Sequence, residues 1–442
     1  MWKSRIYLDY ASLTPIDPRV LHEVKKFSAI KYGNPSSWYR EGVDAKKSLD
    51  SARKSIADHI HAHSDEIVFT SGGTEANNLA ILGAYNSYIL YLSKNSGIKD
   101  SSEGVLKPHL IISCIEHSSI IEVAKHLEKN GCEITRLSVD EKGIVSIEEL
   151  KKSIKPNTFM VSIMTVNNEI GTVQPIREIA KIMRKARNEF ISVRLADAVS
   201  STSKNEEENG VAKRTNHEIS NRFDVDGYYP QASLIDNFSR QNYPLFHTDG
   251  AQAALCNELY VEKLGVDLLS LDSSKVYGPR GVGALYVKRN TPIEPIIFGG
   301  GQEAGMRSGT ENLPGVAGFA KALSIQDSKI LEFREMMIDG LRSIRNDIVV
   351  NGPEKGDSVS PHILNVSIPR IDNEFLVLQL DADGIACSTK SSCLRDEKES
   401  YVLKAIGANS SESIRFSFGR WTKKRDINKA LKVIGMLLSK DL

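Results

Sequence analysis

The sequence predicts an α/β protein in which a mostly parallel sheet is covered by helices and followed by a smaller α+β region. Short β-branched runs alternate with amphipathic stretches through residues 16–330, whereas the rest of the chain has two helical stretches around short apolar runs. Repeated strand–helix–strand units require crossover connections, which favour parallel strands buried on both faces. We assign residues 16–330 to a large domain, and residues 1–15 and 331–442 to a small one.

The predicted elements of the large domain follow one another in a regular order. The strand runs are EIVFTS, HLIISC, TFMVSIMTV, YPLFHTD and VDLLSL, and amphipathic helices follow the first three. Two polar stretches, about 93–107 and 197–242, interrupt this order, and we interpret both as surface insertions. In the small domain the candidate strands are ILNVSI, FLVLQLD and IRFSF, between a helix over 330–348 and another over 424–438.

Composition excludes several classes of function. Of the 442 residues, 40% are hydrophobic and 26% charged, and the formal net charge is +1, without the positive excess that recruits nucleic acid or anionic lipid. No apolar run approaches the ~20 residues of a membrane helix, and the first residues lack a signal-peptide pattern. No metal site is predicted, because His59, His61 and His63 end a helical pattern without an accompanying cluster of ligands.

The cysteines indicate a reducing compartment and one candidate nucleophile. The five cysteines form neither a CxxC pair nor a dense framework, so we expect a cytoplasmic protein, with an organelle matrix as the alternative. In CSTKSSCLRDEKESYVL, Cys387 lies at the end of a predicted strand, where we expect it to pack. Cys393 lies between Lys390 and Arg395 in a polar loop, and cationic neighbours activate a thiol.

A glycine-rich turn offers a place for a phosphate. In FTSGGTEANN a strand ends at Ser71–Thr74 and an amphipathic helix begins at once. Backbone N–H groups, the helix dipole and a hydroxyl therefore converge on one point. An ordinary turn with a helix N-cap has the same sequence, so other motifs must decide between the two.

Two further strand ends suit an aldehyde cofactor that contains a pyridine ring. Asp249 directly follows the apolar strand of YPLFHTDGAQ, at the edge where open α/β sheets bind ligands, and its carboxylate would keep a pyridinium nitrogen protonated. Lys275 follows the strand of LLSLDSSK, and a lysine on such a loop can form a Schiff base. Taken in isolation, each motif favours a plainer interpretation, in which Asp249 caps the next helix and Lys275 is a solvated charge.

These segments together resemble the cysteine desulfurases, the fold-type I pyridoxal-phosphate enzymes that also include the selenocysteine lyases. The resemblance covers nearly the whole chain apart from the two insertions, and its motifs occur in the order of the family. The motifs are YLDYASLTP, YGNPSS, FTSGGTEANNLAI, CIEHSSI, TVNNEIGTVQPI, HTDGAQ, KVYGPRGVGALYV, GGGQEAGMRSGTEN, SYVLKAIG and SIRFSFGR.

The resemblance implies a set of cofactor-binding residues. His117 is similar to the imidazole that stacks on the pyridine ring, Asp249 to the partner of the ring nitrogen, and Gln252 to the residue that bonds the phenolic oxygen. Lys275 is similar to the Schiff-base lysine. The remaining implied cofactor-binding residues, at the phosphate for all but Asn168, are Gly73, Thr74, Asn168, Ser274 and Thr310. Thr310 would reach the phosphate of the other subunit, which implies a homodimer.

The resemblance also implies a substrate and a reaction. Asn168 and Arg415 would grip the carboxylate of L-cysteine, with Asn34 beside them, as a bidentate guanidinium does. The family removes the substrate's sulfur to give L-alanine and a persulfide, here on Cys393, with His117 and Lys275 as proton carriers. The sulfur would then pass to an iron–sulfur scaffold protein or be used in tRNA thiolation.

The chain departs from the family pattern around the lysine. The family usually has a serine three residues before the lysine and a histidine directly before it, and this chain has Asp272 and Ser274 there. Loss of two charge-assisted hydrogen bonds would weaken phosphate binding by about 1.5 to 3 kcal/mol each. Tyr39, Ala304 and Leu13 replace a usual histidine, arginine and threonine.

Three other functions remain open on these residues. A selenocysteine lyase is the nearest enzyme alternative, because a tyrosine at the position of Tyr39 also occurs in those enzymes. Asp272 and Ser274 motivate a second alternative, a cofactor-poor homologue with a structural or regulatory role. An aminotransferase on the same fold is less favoured, because it would not use a thiol on a mobile loop.

Overall fold

A computed structural model describes residues 5–95, 107–190, 243–325, 331–389 and 399–439. The insertion predicted at 197–242, most of the one predicted at 93–107, and Cys393 lie outside the described residues. The described strands are β1 Ile6–Tyr7, β2 Ile67–Thr70, β3 His109–Ser113, β4 Glu133–Leu137, β5 Thr158–Ser162, β6 Leu245–Asp249, β7 Leu268–Asp272, β8 Gly283–Val287, β9 Val349–Asn351, β10 Ile363–Ser367, β11 Ile385–Ala386 and β12 Ser413–Ser417.

The helices alternate with the strands of the large sheet and then with those of the small one. They are α1 Pro18–Ala29, α2 Arg40–Ile60, α3 Gly73–Asn95, α4 Ser118–Lys129, α5 Ile147–Ser153, α6 over 176–190, α7 Val261–Leu264, α8 Leu313–Leu323, α9 Leu331–Ile344, α10 Asn373–Ala382, α11 Tyr401–Ala405 and α12 Lys424–Leu438.

Seven of the described strands form the large sheet, in the order β2-β8-β7-β6-β5-β3-β4. The strands from β7 through β6, β5 and β3 to β4 are parallel, and β8 runs antiparallel to both of its neighbours. Because β8 reverses direction between β7 and β2, the carboxyl ends of β2, β6 and β7 lie at the same edge of the sheet. The predicted mostly parallel α/β fold is confirmed, and the parallel edge strand β4 and the antiparallel β8 are the strands of this sheet that the sequence pattern did not predict.

The large sheet is buried on both faces. Consecutive residues of β3 contribute to two different apolar clusters, Ile111 to one and Leu110 and Ile112 to the other. Alternation of side chains along a strand places such residues on opposite faces of the sheet. Each face is therefore covered by its own apolar layer, and the polar strand ends remain for a site at the sheet edge.

The C-terminal region is built around a second sheet, in the order β12-β10-β9, with antiparallel pairing. Strand β1 pairs in parallel with β11, and Ile6 and Leu8 lie in the same apolar cluster as residues of α9 and α12. The first residues thus return to this region of the chain. The domain boundaries assigned from the sequence stay a prediction.

The segment FLVLQLD, taken from the sequence as a candidate strand, is part of the helix α10. Asp372 caps this helix by accepting a hydrogen bond from the backbone N–H of Phe375 at 2.9 Å. Leu376 and Leu380, four residues apart, are buried on one face, whereas Leu378 is exposed. The N-cap and the spacing of the buried leucines decide the helix, because a strand would bury every second residue.

Candidate active site

A cavity of about 180 Å³ opens among the side chains at the carboxyl edge of the large sheet. Open α/β sheets bind their ligands at this edge. The cavity brings together residues from motifs that are far apart in the sequence. The sequence-predicted site residues that line it are Gly73, Thr74, His117, Asn168, Asp249, Gln252, Lys275 and Arg415.

Lys275 presents its amine to the cavity from the end of a short turn after β7. Its Nζ donates hydrogen bonds to the backbone carbonyls of Ala11, at 3.1 Å, and Ser12, at 2.6 Å. Both acceptors belong to the N-terminal segment, which also lines the cavity. Among the described residues that line the cavity, the only aliphatic amine is therefore fixed in position by the backbone of a distant segment.

Asp249 ends β6 and is only 7% exposed. Both of its carboxylate oxygens are hydrogen-bonded: Oδ2 accepts from Asn77 Nδ2 at 2.8 Å, and Oδ1 accepts from the backbone N–H of Ala251 at 2.9 Å. These donors are neutral, so they orient the carboxylate without neutralising it. A cationic N–H placed in the cavity would supply the missing charge.

His117 caps α4 and is tied to Asp249 through two other side chains. The Nδ2 of Asn77 also donates to Ser119 Oγ at 2.8 Å, and that Oγ lies 2.8 Å from His117 Nδ1. Since Ser119 Oγ accepts from Asn77, its own hydrogen is free for Nδ1, which also accepts from the Ser119 backbone N–H at 3.2 Å. His117 Nδ1 is thus an acceptor, and the neutral ring carries its hydrogen on Nε2.

Gln252 is oriented by a buried histidine that the sequence analysis did not single out. The Nε2 of Gln252 donates to the Ala11 carbonyl at 2.9 Å, and its Oε1 lies 3.3 Å from His362 Nε2. Burial, together with the nearby Arg415 charge, lowers the pKa of His362 to about 3, so the ring is neutral. Nε2 therefore carries the hydrogen and Ser360 Oγ donates to Nδ1, at 2.8 Å. These contacts fix the orientation of the Gln252 amide, whose nitrogen points to the carbonyl of Ala11, a residue that also lines the cavity.

Arg415 lies on β12 and is 1% exposed. Its guanidinium donates to the backbone carbonyl of Asn168 at 2.8 Å, to Asp9 Oδ1 at 2.9 Å and to Ser12 Oγ at 2.7 Å. Among the described residues, its buried Nε has no hydrogen-bond partner. A rigidly held guanidinium with a donor to spare suits a small carboxylate ligand.

The glycine-rich turn leads from β2 into α3, and a carboxylate already lies against it. Gly72 adopts a φ of 152°, in a region that favours glycine, and this directs the next N–H groups toward the cavity edge. The backbone N–H of Gly73 donates to Asp272 Oδ2 at 3.0 Å, and that of Ser274 donates to Asp272 Oδ1 at 2.7 Å. Asp272 itself lines the cavity.

Three of the predicted site residues that the structure describes do not line the cavity of this single chain. Ser274 contributes its backbone N–H to Asp272 and lies outside the lining. Asn34 and Thr310 are exposed, and Asn34 Oδ1 accepts from the backbone N–H of Ser36 at 2.9 Å. Cys393 lies outside the described residues.

The described cysteines are poor nucleophiles. Cys387 packs against the apolar cluster of the C-terminal region, and burial raises its pKa far above the ordinary value. Burial also raises the pKa of Cys132 and of Cys256 to about 12, and that of Cys114 above its usual range. All four are free thiols. None of these four side chains is therefore a thiolate at neutral pH.

Asn77, Ser119 and Glu116 are site-supporting residues that sequence reasoning missed. Glu116 is completely buried beside His117, and its carboxyl accepts from Ser113 Oγ at 2.5 Å and from the Met164 backbone N–H at 3.0 Å. The signal available for Ser119 was the sequence His-Ser-Ser before an amphipathic helix, which is typical of a capped N-terminus. For Asn77, its position in the first turn of α3 was the available signal.

Comparison with known proteins identifies the family. The chain matches the family model described as aminotransferase class-V over residues 6–211 and 219–430. It is 35% identical to a protein named cysteine desulfurase IscS from Dictyoglomus turgidum, over 99% of this chain and 95% of that relative. It is 36% identical to a mitosomal cysteine desulfurase of Encephalitozoon cuniculi, over 98% of this chain and 87% of the relative. A solved structure described as SspA in complex with cysteine is 30% identical, with a TM-score of 0.69, and covers 93% of this chain and 98% of that one.

The chain therefore belongs to the class-V aminotransferase family of fold-type I, pyridoxal-phosphate-dependent enzymes. Within that family it belongs with the cysteine desulfurases. The enzyme class and the cofactor predicted from the sequence are confirmed by this membership.

The cavity residues fit this cofactor at its ring. An amine at Lys275 suits the aldehyde, the uncompensated buried carboxylate of Asp249 suits the ring nitrogen, and the Gln252 amide suits a phenolic oxygen. At the phosphate end the Gly73 N–H is present, and Asp272 shares that end of the cavity.

Two further features bear on the class of protein. Among the residues that the structure describes, no group of three or more His, Cys, Asp or Glu side chains is arranged to hold a metal ion. The helices in the described ranges include none that is long and apolar enough to cross a membrane.

Proposed function

We propose that this cysteine desulfurase removes sulfur from L-cysteine, giving L-alanine and a persulfide on Cys393. The observation that carries the proposal is the convergence of the Lys275 amine, the Asp249 carboxylate and the Arg415 guanidinium on one cavity. That combination offers an attachment point for an aldehyde cofactor, a partner for its ring nitrogen and an anchor for an α-carboxylate. The SspA relative, whose solved structure contains cysteine, supports the choice of substrate.

The cofactor-binding roles follow from the contacts in the cavity. Lys275 would hold the aldehyde carbon, Asp249 the protonated ring nitrogen, and the Gln252 amide the phenolic oxygen. His117 would lie against the ring, and Gly73, Thr74 and Ser274 would contribute to the phosphate end. When bound, pyridoxal phosphate supplies an electron-withdrawing ring that eases removal of the substrate's α-proton.

Arg415 and Asn168 would bind the substrate carboxylate. The guanidinium is kept in place by Asp9, Ser12 and the Asn168 carbonyl, so it loses little conformational freedom when a ligand binds. Its bonds to these three groups leave a hydrogen on Nη1, and a charge-assisted hydrogen bond from the guanidinium to the substrate carboxylate would contribute about 1.5 to 3 kcal/mol. Asn34, which is exposed in this structure, would bind the substrate carboxylate beside them.

His117 and Lys275 would carry protons to and from the substrate. The Ser119 contacts at Nδ1 keep the hydrogen of neutral His117 on Nε2, so the ring presents a donor. Lys275 Nζ, held by two carbonyls, is the second proton carrier. Neutral His117 offers a hydrogen bond from Nε2 and would transfer a proton only after taking one up as an imidazolium, whereas the Lys275 amine can both accept and return a proton.

Cys393 would take the sulfur. Its thiolate attacks the substrate sulfur, an S–S bond forms, and the Cβ–S bond of the substrate breaks, leaving a three-carbon product that becomes L-alanine after protonation. The four described cysteines have raised pKa values and do not suit this attack. The persulfide would pass to an acceptor protein such as an iron–sulfur scaffold, or into tRNA thiolation.

A homodimer would complete the site. Thr310 is exposed in one chain, as is required if it reaches the phosphate bound by a second subunit. Large apolar side chains are also exposed, among them Trp38 at 97% and Phe298 at 81%, and a subunit interface would cover such residues. The free thiols suit a reducing compartment, which we propose is the cytoplasm, with an organelle matrix as the alternative.

A turnover assay tests the proposed function. The chain, reconstituted with pyridoxal phosphate, is given L-cysteine and a reductant, and sulfide and alanine are measured for wild type, Lys275→Ala and Cys393→Ser. We expect equal amounts of sulfide and alanine from wild type and neither from the two variants. Absence of alanine from folded, cofactor-loaded wild type would contradict the proposal, and activity on L-selenocysteine alone would favour the lyase.

A further inference from the structure

The carboxylate of Asp272 holds the position at which α3 begins. Oδ2 accepts from the Gly73 backbone N–H at 3.0 Å, and Oδ1 accepts from that of Ser274 at 2.7 Å. A Cβ built on Gly73 would lie 3.2 Å from Oδ2, so the carboxylate is packed directly against the turn. Asp272 lines the same cavity as Gly73, Thr74 and Lys275.

The N-terminus of a long helix is stabilised by one anion. The helix α3 spans 23 residues, and the N–H groups and dipole at its N-terminus favour a negative charge. In this structure a side chain of the protein supplies that charge. The Gly73 N–H donates one hydrogen, so a phosphate oxygen that binds it must replace the Asp272 oxygen.

A phosphate next to an unmoved Asp272 would meet electrostatic repulsion. Both bonds to the carboxylate come from neutral backbone N–H groups, which orient its charge without neutralising it. Like charges a few ångströms apart disfavour each other strongly where water is partly excluded. Binding of the phosphate therefore requires the carboxylate to turn away and give up its two hydrogen bonds.

We infer that Asp272 is a specificity-determining residue that occupies the phosphate end of the cofactor site and selects against the phosphorylated cofactor relative to its unphosphorylated form. The inference rests on the proposed cofactor roles of this cavity. The cofactor is then held mainly through Lys275, Asp249 and Gln252, and the phosphate contributes less than it would beside an uncharged residue. Without cofactor, the Gly73 N–H at the start of α3 keeps its hydrogen bond to Asp272.

Two ligands that cannot react with Lys275 isolate this effect. Pyridoxine 5′-phosphate and pyridoxine share the ring and lack the aldehyde, so the ratio of their dissociation constants reports the contribution of the phosphate alone. The ratio is measured by calorimetry on apo protein for wild type, Asp272→Asn and Asp272→Ser. Asparagine keeps the shape of the side chain, and serine removes its reach toward Gly73.

Glu75→Gln is the matched control. Glu75 lies in the first turn of the same helix, but its carboxylate is paired with Arg307 and accepts from the Ser71 backbone N–H. It does not line the cavity. Its neutralisation changes the charge near the start of α3 without freeing the Gly73 N–H.

We expect both Asp272 variants to bind the phosphate ester about 10- to 100-fold more tightly than wild type, with the affinity for pyridoxine within about twofold. We expect the control to leave the ratio unchanged. Inorganic phosphate should raise the melting temperature of apo Asp272→Ser and leave that of wild type unchanged.

A ratio that is the same in wild type and Asp272→Asn overturns the inference, and so does failure of both ligands to bind any variant. The turnover assay on L-cysteine is independent of these measurements. An unchanged ratio in an enzyme that makes alanine refutes the role of Asp272 alone, and a changed ratio in a chain without turnover refutes the proposed reaction alone.

Discussion

Glu116→Gln should remove a pH-dependent part of the free energy of unfolding. Glu116 is completely buried, and burial raises its pKa from the ordinary 4.5 to about 8, with the nearby Asp249 charge adding to the rise. The folded chain therefore keeps a proton on this carboxyl at neutral pH, whereas the unfolded chain releases it. Glutamine is neutral at every pH and keeps an oxygen that can accept from Ser113 and Met164.

The sign and size of the effect follow from linkage. Between pH 4.5 and about 8 the folded state binds more protons at Glu116 than the unfolded state, so the free energy of unfolding falls as pH rises. Each tenfold change in proton activity contributes about 1.4 kcal/mol, which gives an upper limit of roughly 4 to 5 kcal/mol over the window. Near the acid end, wild type and Glu116→Gln should differ by less than about 1.5 kcal/mol.

Urea unfolding of the apo chain at several pH values across this window measures the effect. Wild type should lose stability toward the alkaline end, and Glu116→Gln should show a flatter profile and exceed wild type there. Glu122→Gln is the matched control, because Glu122 lies on the next helix in an exposed pair with Lys125. Equal slopes for wild type and Glu116→Gln would refute the assignment of a protonated Glu116.

Three further predictions concern the cavity and the thiols. Ser119→Ala should lower kcat for L-cysteine about tenfold with little change in KM, because His117 loses the contact at Nδ1. Ser118→Ala, on the same helix, should leave kcat unchanged. Steady-state kinetics compares the two variants, and an equal fall in kcat for both would count against the assignment of the His117 tautomer. Arg415→Lys should raise KM about 10- to 100-fold with a smaller change in kcat, since lysine cannot keep the three contacts of the guanidinium, and an unchanged KM would place the carboxylate elsewhere. Iodoacetamide at neutral pH should label Cys393 before the four described cysteines, because burial raises the pKa values of those four thiols. Peptide mass spectrometry measures the order of labelling, and labelling of Cys387 first would contradict the prediction.

Most of the large sheet was predictable from the sequence because its central strands are fully buried. Runs such as HLIISC and TFMVSIMTV are apolar on both faces and are separated by amphipathic helices, a pattern that only a covered parallel sheet satisfies. Strands β4 and β8 were not predicted: β4 is partly exposed and lacks a continuous apolar run, and nothing in the sequence of β8 shows that it runs antiparallel to its neighbours. FLVLQLD was misassigned because its first four residues are all apolar and its helical face is defined by partners elsewhere in the chain.

The candidate site was predictable to the extent that it lies at strand ends. Asp249 and Lys275 each follow an apolar run, and parallel strands carry such residues to one edge. The bonds that connect them were not predictable. Asn77 reaches Asp249 across 172 residues, and the position of its amide is set by the packing of α3 on the sheet. The contact of Asp272 with Gly73 likewise depends on the tertiary fold, since 199 residues separate them.

The central claim is that sulfur leaves L-cysteine in this cavity and arrives on Cys393. The most direct measurement incubates the cofactor-loaded chain with L-cysteine, blocks all thiols with an alkylating reagent, and maps the cysteine peptides by mass spectrometry for wild type and Lys275→Ala. The account predicts one additional sulfur atom on the Cys393 peptide of wild type and none in the lysine variant. Alanine formation with the additional sulfur on another cysteine, or on Cys393 of Lys275→Ala, would contradict it.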